Sequence, residues 1–199
     1  MFAQVIQGRV RDGEALRRQF DRWDEELKPG AAGYLGGTAG VADDGQFIAV
    51  ARFESEEAAR ANSDRPEQGQ WWEETAGLFE GDVTFHDCRE VDLFLGGGSD
   101  DAGFVQVIQG RGDRDQMRQG REEMEAFLRR VRPDVLGGLV AWHDGGSFTQ
   151  VVYFVDEESA RESESQEPSP EDAEQRDRYV GSLQDVSFID LHEPWLSSA

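Results

Sequence analysis

Apolar and polar positions alternate along residues 2–10, FAQVIQGRV, and this period of two predicts a β-strand. One face carries Phe2, Gln4, Ile6 and Gly8; the other carries Ala3, Val5, Gln7 and Arg9. Both faces hold apolar side chains, so the strand is expected to be covered on both sides. The period then lengthens. Leu16, Phe20, Trp23 and Leu27 form a helical stripe, with Asp12 placed to cap it and Lys28-Pro29-Gly30 to end it. Alternation returns at 34–42 and 46–53, and Asp43-Asp44-Gly45 between them predicts a hairpin. Ser55, Glu56 and Glu57 open a second helix with acids in its first turn. It is expected to break near Asn62–Pro66 and to resume through Trp71, Trp72, Leu78 and Phe79. Residues 82–92 predict a fourth strand. The order βαββαβ implies an antiparallel sheet with both helices on one face.

The whole pattern then repeats. FVQVIQGRG at 104–112 agrees with residues 2–10 at seven of nine positions. Leu136-Gly137-Gly138 matches Leu35-Gly36-Gly37, Phe148 and Phe154 match Phe47 and Phe53, and DVSFID at 185–190 matches DVTFHD at 82–87. The second helical stripe carries Met117, Met124, Phe127 and Leu128. The expected organisation is a domain at 1–95, a flexible linker GGGSDDAG at 96–103, and a second domain at 104–199. Residues 162–177 are acidic and contain Pro168 and Pro170, so a mobile loop is expected ahead of a last helix near 171–183. Residues 193–199 read as a tail pinned by Trp195.

One such unit leaves a sheet face bare. That face is expected to carry Phe2, Gln4, Ile6, Phe47, Ala49, Ala51 and Phe53 in the first copy. In the second copy it is expected to carry Phe104, Gln106, Ile108, Phe148, Gln150, Val152 and Phe154. The fold class expected is α+β: two tandem ferredoxin-like βαββαβ domains packed sheet to sheet.

Charge and composition narrow the partners. The formal net charge is −22, which disfavours nucleic acid and anionic membrane surfaces. No apolar run approaches the ~20 residues of a membrane helix, and no signal-peptide pattern opens the chain. The lone cysteine, Cys88, excludes an intrachain disulfide framework. A cytoplasmic protein is expected.

PGAAGYLG at 29–36, the turn Asp43-Asp44-Gly45, and the strand-to-helix segments FESEEAARAN at 53–62 and FVDEESARES at 154–163 carry a family resemblance. They resemble the dimeric α/β-barrel superfamily, and within it the antibiotic-biosynthesis-monooxygenase-like domains. The resemblance covers nearly all of both halves. It implies a barrel that relatives close by dimerising and that this chain would close internally, as a pseudo-dimeric monomer or a homodimer of it. Quinone-forming relatives use an asparagine, a tryptophan and a tyrosine; the matching positions here are Ala49, Phe53 and Ala59, then Gln150, Phe154 and Ala160. Only Gln150 keeps an amide. Haem-degrading relatives place their asparagine, tryptophan and ligating histidine at positions approximated by Ile6, Asn62 and Trp71, and neither second helix contains a histidine. No cofactor is expected.

The candidate chemistry that remains is sparse. His86 is the available acid/base group, because an imidazole titrates near neutrality. Gln150 could position a substrate. Gln4, Gln106, Asn62, Trp71 and Trp72 are candidates for binding, as amide handles and an aromatic wall. His86 and Cys88 do not form a metal-ligand pattern. Two functions follow. The first is binding or oxidation of a small apolar or aromatic molecule in a cavity between the sheets. The alternative is a non-catalytic structural or interaction protein with a filled core.

Overall fold

The computed structural model describes residues 1–181 and 183–199. The first copy forms β1 (Phe2–Arg9), α1 (Gly13–Arg22), β2 (Tyr34–Val41), β3 (Gln46–Phe53), α2 (Glu56–Ser63), α3 (Pro66–Ala76) and β4 (Thr84–Cys88). A short β5 (Glu90–Phe94) follows. The second copy forms β6 (Phe104–Arg111), α4 (Arg114–Gln119), α5 (Arg121–Val131), β7 (Val135–Trp142), β8 (Ser147–Phe154), α6 (Glu157–Ser165), α7 (Pro170–Gly181) and β9 (Gln184–Leu191). It is followed by β10 (Trp195–Ser198).

The strands make two five-stranded sheets, ordered β10-β2-β3-β1-β4 and β5-β7-β8-β6-β9. The last four of each order are the antiparallel ferredoxin-like arrangement expected from βαββαβ. The fifth strand is an addition at the β2 or β7 edge. It comes in each case from the segment that follows the other copy. Hence the compact units are Met1–Glu90 with Glu193–Ala199, and Val91–His192.

Three sequence expectations change here. The fourth strand expected at 82–92 is two strands, β4 and β5, which join different sheets. The tail at 193–199 contains β10. The loop expected within 162–177 is largely helical, since α6 reaches Ser165 and α7 starts at Pro170. Pro170 suits a first helical turn, where its missing N–H is not needed. Residue 182 of the expected last helix lies outside the described residues.

The repeated Leu-Gly-Gly explains how the extra strands fit. At both copies the register with the neighbouring strand shifts there, between Tyr34 and Gly36 and between Val135 and Gly137. Gly36 has φ +126°, and a Cβ on it would stand 2.9 Å from the Ser197 carbonyl oxygen of β10. A Cβ on Gly137 would collide with the Gly97 carbonyl, and one on Gly138 with the Phe94 ring. The glycines make room for the incoming edge strand.

The helices cover the opposite sheet face from the one expected. Phe2, Tyr34 and Phe53 pack with Trp23, Leu27, Ala59 and Trp71 of the helical segments, and Phe47 and Ala49 pack with Leu16. The residues assigned to a bare face, Gln4 and Gln106 included, therefore lie beneath helices. The other face carries Ala3, Val5, Ile48 and Val50, which are also buried. Alternation could not choose between two apolar faces; the aromatic side chains of the helices, which need the small Ala49 and Ala51 opposite them, do.

Candidate functional site

Each unit holds a cavity between its sheet and its helices. In the first unit Gln4 and Ile6 of β1 and Ala49, Ala51 and Phe53 of β3 form the floor. Phe20 and Trp23 of the first helical segment, Asn62 of α2, and Gln68 and Trp71 of α3 form the roof. Trp195 of β10 closes one side. The volume is about 140 Å³.

Local geometry explains this tight packing. The Asp12 carboxylate accepts the Ala15 N–H at 2.9 Å and so caps α1, as the sequence predicts. The chain beyond α1 makes a widened turn at Trp23–Leu27, where the Lys28 N–H reaches the Trp23 carbonyl. That turn brings both Trp23 and Leu27 into the core. Rings then contact in series: Trp23 with Tyr34 at 5.0 Å, Phe20 with Trp71 at 5.6 Å, and Phe20 with Trp195 at 5.4 Å between centroids. Three polar groups around the cavity are engaged by the protein. Trp23 Nε1 donates to Gln68 at 2.7 Å, Trp71 Nε1 to the Gln19 carbonyl at 2.8 Å, and Arg65 to Asn62 Oδ1 at 2.8 Å.

The second cavity has the same address and a different lining. Gln106, Ile108, Gln150, Val152 and Phe154 make its floor. Met117, Met124, Phe127 and Leu128 of α4 and α5 make an apolar wall, and Gln175, Arg176 and Arg178 of α7 contribute to its rim. Its volume is about 390 Å³. The enlargement is written in the substitutions between the copies: Met124 matches Trp23, and Val135 matches Tyr34. No residue of α4 or α5 is fully buried, because the apolar stripe of these helices faces a hollow.

Two amides lie at the base of this hollow. Gln106 and Gln150 are 9% and 6% exposed. Gln106 donates to Asp190 Oδ1 at 2.9 Å, and Gln4 makes the same contact with Asp87 in the first unit. Asp190 also accepts from Arg161. Burial pulls the Arg161 pKa down, but hydrogen bonds to Asp190 and Glu164 outweigh it and hold the guanidinium above its ordinary value. The Gln106 side chain is thus oriented by a fixed ion pair. Above the cavity, α7 is tied to α5 by Arg130 with Asp172 and by Gln175 with the Glu123 carbonyl at 3.1 Å.

The sequence candidates fall into three groups. Gln4, Asn62 and Trp71 meet in the smaller cavity, and Gln106 and Gln150 in the larger one. Trp72 lines neither; its ring lies against Phe79 at 6.2 Å and Phe85 at 5.1 Å. His86 also lines neither. It pairs with Val5 across β1 and β4 and so shares the sheet face turned away from the helices. Cys88 is buried on that same face. The sequence marks Met117, Met124, Phe127 and Leu128 as a helical stripe and not as a cavity wall, and it does not mark the arginines of α7. The replacement of Trp23 by Met124 was the available signal. Among the described residues no group of three or more His, Cys, Asp or Glu side chains could hold a metal ion, and no helix is long and apolar enough to cross a membrane.

No family profile matches the chain, and no curated protein matches it in sequence. Solved structures do match its fold. A candidate monooxygenase from Fusobacterium nucleatum superposes with a TM-score of 0.75 at 9% identity, over 99% of this chain and 94% of that one. A candidate monooxygenase from Lactobacillus acidophilus gives 0.71 at 11% identity, over 98% of both chains. An anthrone oxidase-like protein gives 0.62 at 9% identity, over 99% of this chain and 89% of that one. The expected α+β fold, two tandem ferredoxin-like units, is the fold of this chain.

Proposed function

We propose that the chain binds a small, largely apolar molecule beneath α4, α5 and α7 of the second unit. The observation that carries this reading is the hollow of about 390 Å³ walled by Met117, Met124, Phe127 and Leu128, with Gln106 and Gln150 at its base. Its size falls in the range of small-molecule sites, and a mostly apolar lining with a few fixed polar groups is the usual composition. Methionines give such a wall an adaptable shape. The amides would fix a carbonyl or hydroxyl of the ligand, since each amide can donate and accept.

Oxidation of the bound molecule is the finer form of this proposal, supported by fold likeness to proteins described as candidate monooxygenases and as anthrone oxidase-like. In that form Gln150 holds the substrate oxygen and the substrate itself supplies the electrons for dioxygen. An amide cannot take up the proton, so the rim carboxylates Glu123 and Glu164 are nearer candidates for that role than His86.

The alternative, a structural or interaction protein with filled cores, draws support from the first unit, where rings and internal hydrogen bonds occupy most of the space. Thermal shift against a panel of quinols, anthrones and related aromatics separates the readings. Binding raises the melting temperature in proportion to affinity and ligand concentration. Val152→Trp, which places an indole in the larger cavity, is expected to abolish the shift while the far-UV spectrum is retained. A shift that survives Val152→Trp would place binding elsewhere.

A further inference from the structure

The larger cavity adjoins an open polar hollow lined by Arg111, Asp113, Gln116 and Arg178 among others. Gln116 and Arg178 line both spaces. The charge there is unusual for this protein. Acids outnumber bases 42 to 20, and most arginines in the structure are paired with a carboxylate. Arg132, which also lines the apolar cavity, pairs with Asp134 at 2.7 Å, and Arg176 pairs with Asp177 at 2.9 Å. Among the described residues no carboxylate pairs with Arg178 or Arg111. Among the described residues Arg111 reaches the Gly145 carbonyl, at 3.2 Å. The carboxylate in that hollow, Asp113, is committed to capping α4 through the Gln116 N–H at 2.9 Å. Of the acids lining the apolar cavity, Glu164 is held by Arg161 at 3.1 Å, and Glu123 lies on α5.

We infer that the ligand of the second unit is an amphipathic anion: an apolar body in the methionine-walled cavity and one carboxylate or similar anionic group at Arg178 and Arg111. The inference rests on the binding reading above and adds the chemical class. Two guanidinium groups facing one hollow, with so many acids elsewhere left to pair, are positioned for an anion that the chain itself does not supply. Position along the cavity matters as well. An acid lodged at Arg178 would leave the far end of the ligand near Gln106 and Gln150. The amides would then select for a polar group at a fixed distance from the acid.

Three matched probes test this: 2-naphthoate, methyl 2-naphthoate and 2-naphthylmethylamine, titrated calorimetrically into the full chain. The naphthoate is expected to bind tightest, and the amine weakest. Arg178→Gln is expected to weaken naphthoate about tenfold, the scale of one charge-assisted hydrogen bond, and to leave the ester unchanged. Arg111→Gln is expected to act in the same direction. Arg129→Gln, which removes the same charge from an exposed position paired with Glu125, controls for net charge and is expected to have no effect. Equal binding of all three probes, or equal loss with Arg129→Gln, would overturn the anion preference and leave the cavity reading standing. Failure of every probe to bind would overturn both.

Discussion

Trp23 and Met124 occupy matching places in the two copies, and the exchange of an indole for a thioether separates a packed interior from a hollow one. The consequence can be tested in both directions. Trp71→Ala removes a ring that contacts Phe20, Trp23 and Trp72. It is expected to cost about 3–5 kcal/mol of stability, the range for burying and then deleting a large aromatic, with no change in binding at the second unit. Chemical denaturation and titration on the same sample check both halves of that statement. Met124→Trp is expected to do the reverse, filling the larger cavity and eliminating ligand binding with stability kept or improved. Asp172 gives a pH dependence. Its carboxyl is held below the ordinary value of 3.8 by hydrogen bonds from Ser169 and then Arg130. A depressed carboxylate contributes stability that is complete above its unfolded pKa and is lost as pH falls through the folded one. Attachment of α7 over the cavity should therefore be constant from pH 7 to pH ~5 and weaken below pH ~3.8. Hydrogen exchange of α7 amides measured across that window checks it; early loss, near pH 6, would assign the attachment to another group.

At the level of elements, the glycines of β2 and β7 control which strands can pair. A Cβ at Gly138 would meet both the Phe94 ring and the Val151 carbonyl. Gly138→Ala is expected to release β5 from β7, seen as loss of amide protection in residues 90–94 ahead of the rest of the sheet, and to cost a few kcal/mol. The elements are also where the sequence was most and least legible. The strands β1 and β6, the hairpins and the caps at Asp12 and Ser55 follow from local period and turn chemistry, which act over a few residues. The sheet face beneath the helices did not follow, because Phe2, Ile6 and Phe53 on one side and Ala3, Val5 and Ile48 on the other are equally apolar. β5 does not separate from β4 in the sequence and β10 does not register in it, because strands of five and four residues carry too short a period and their partners are distant in the chain. The binding candidates were legible as side chains, Gln4 with Gln106 most clearly, since duplication marked them. Their grouping into two cavities was not, because that depends on which helix residue stands opposite each one.

Over the whole molecule, duplication has kept one backbone plan and let the two interiors diverge. The first unit keeps an aromatic interior with Trp23, Trp71 and Asn62 hydrogen-bonded within the protein; the second exposes Phe188 to 61%, where the matching Phe85 is shielded in part by Trp72. The strand that completes the first sheet is supplied by residues 195–198, paired with β2 from Gly36 to Ala39. Truncation after residue 192 is expected to lower the melting temperature of the first unit and to expose Trp195's partners, Phe20 and Phe47. Naphthoate binding to the second unit should persist.

That same edge strand sets an order of events during synthesis. Residues 91–192 form a contiguous stretch that can close its own sheet as soon as it has emerged. The first unit, although translated earlier, waits for a pairing between residues more than 150 positions apart, Ala39 with Trp195. Contacts so distant along the chain form slowly, since the loop between them must be closed first. Pulse-labelled exchange during refolding should accordingly show protection in β6 and β8 before β2 acquires it. The half that is made first is the half that finishes last.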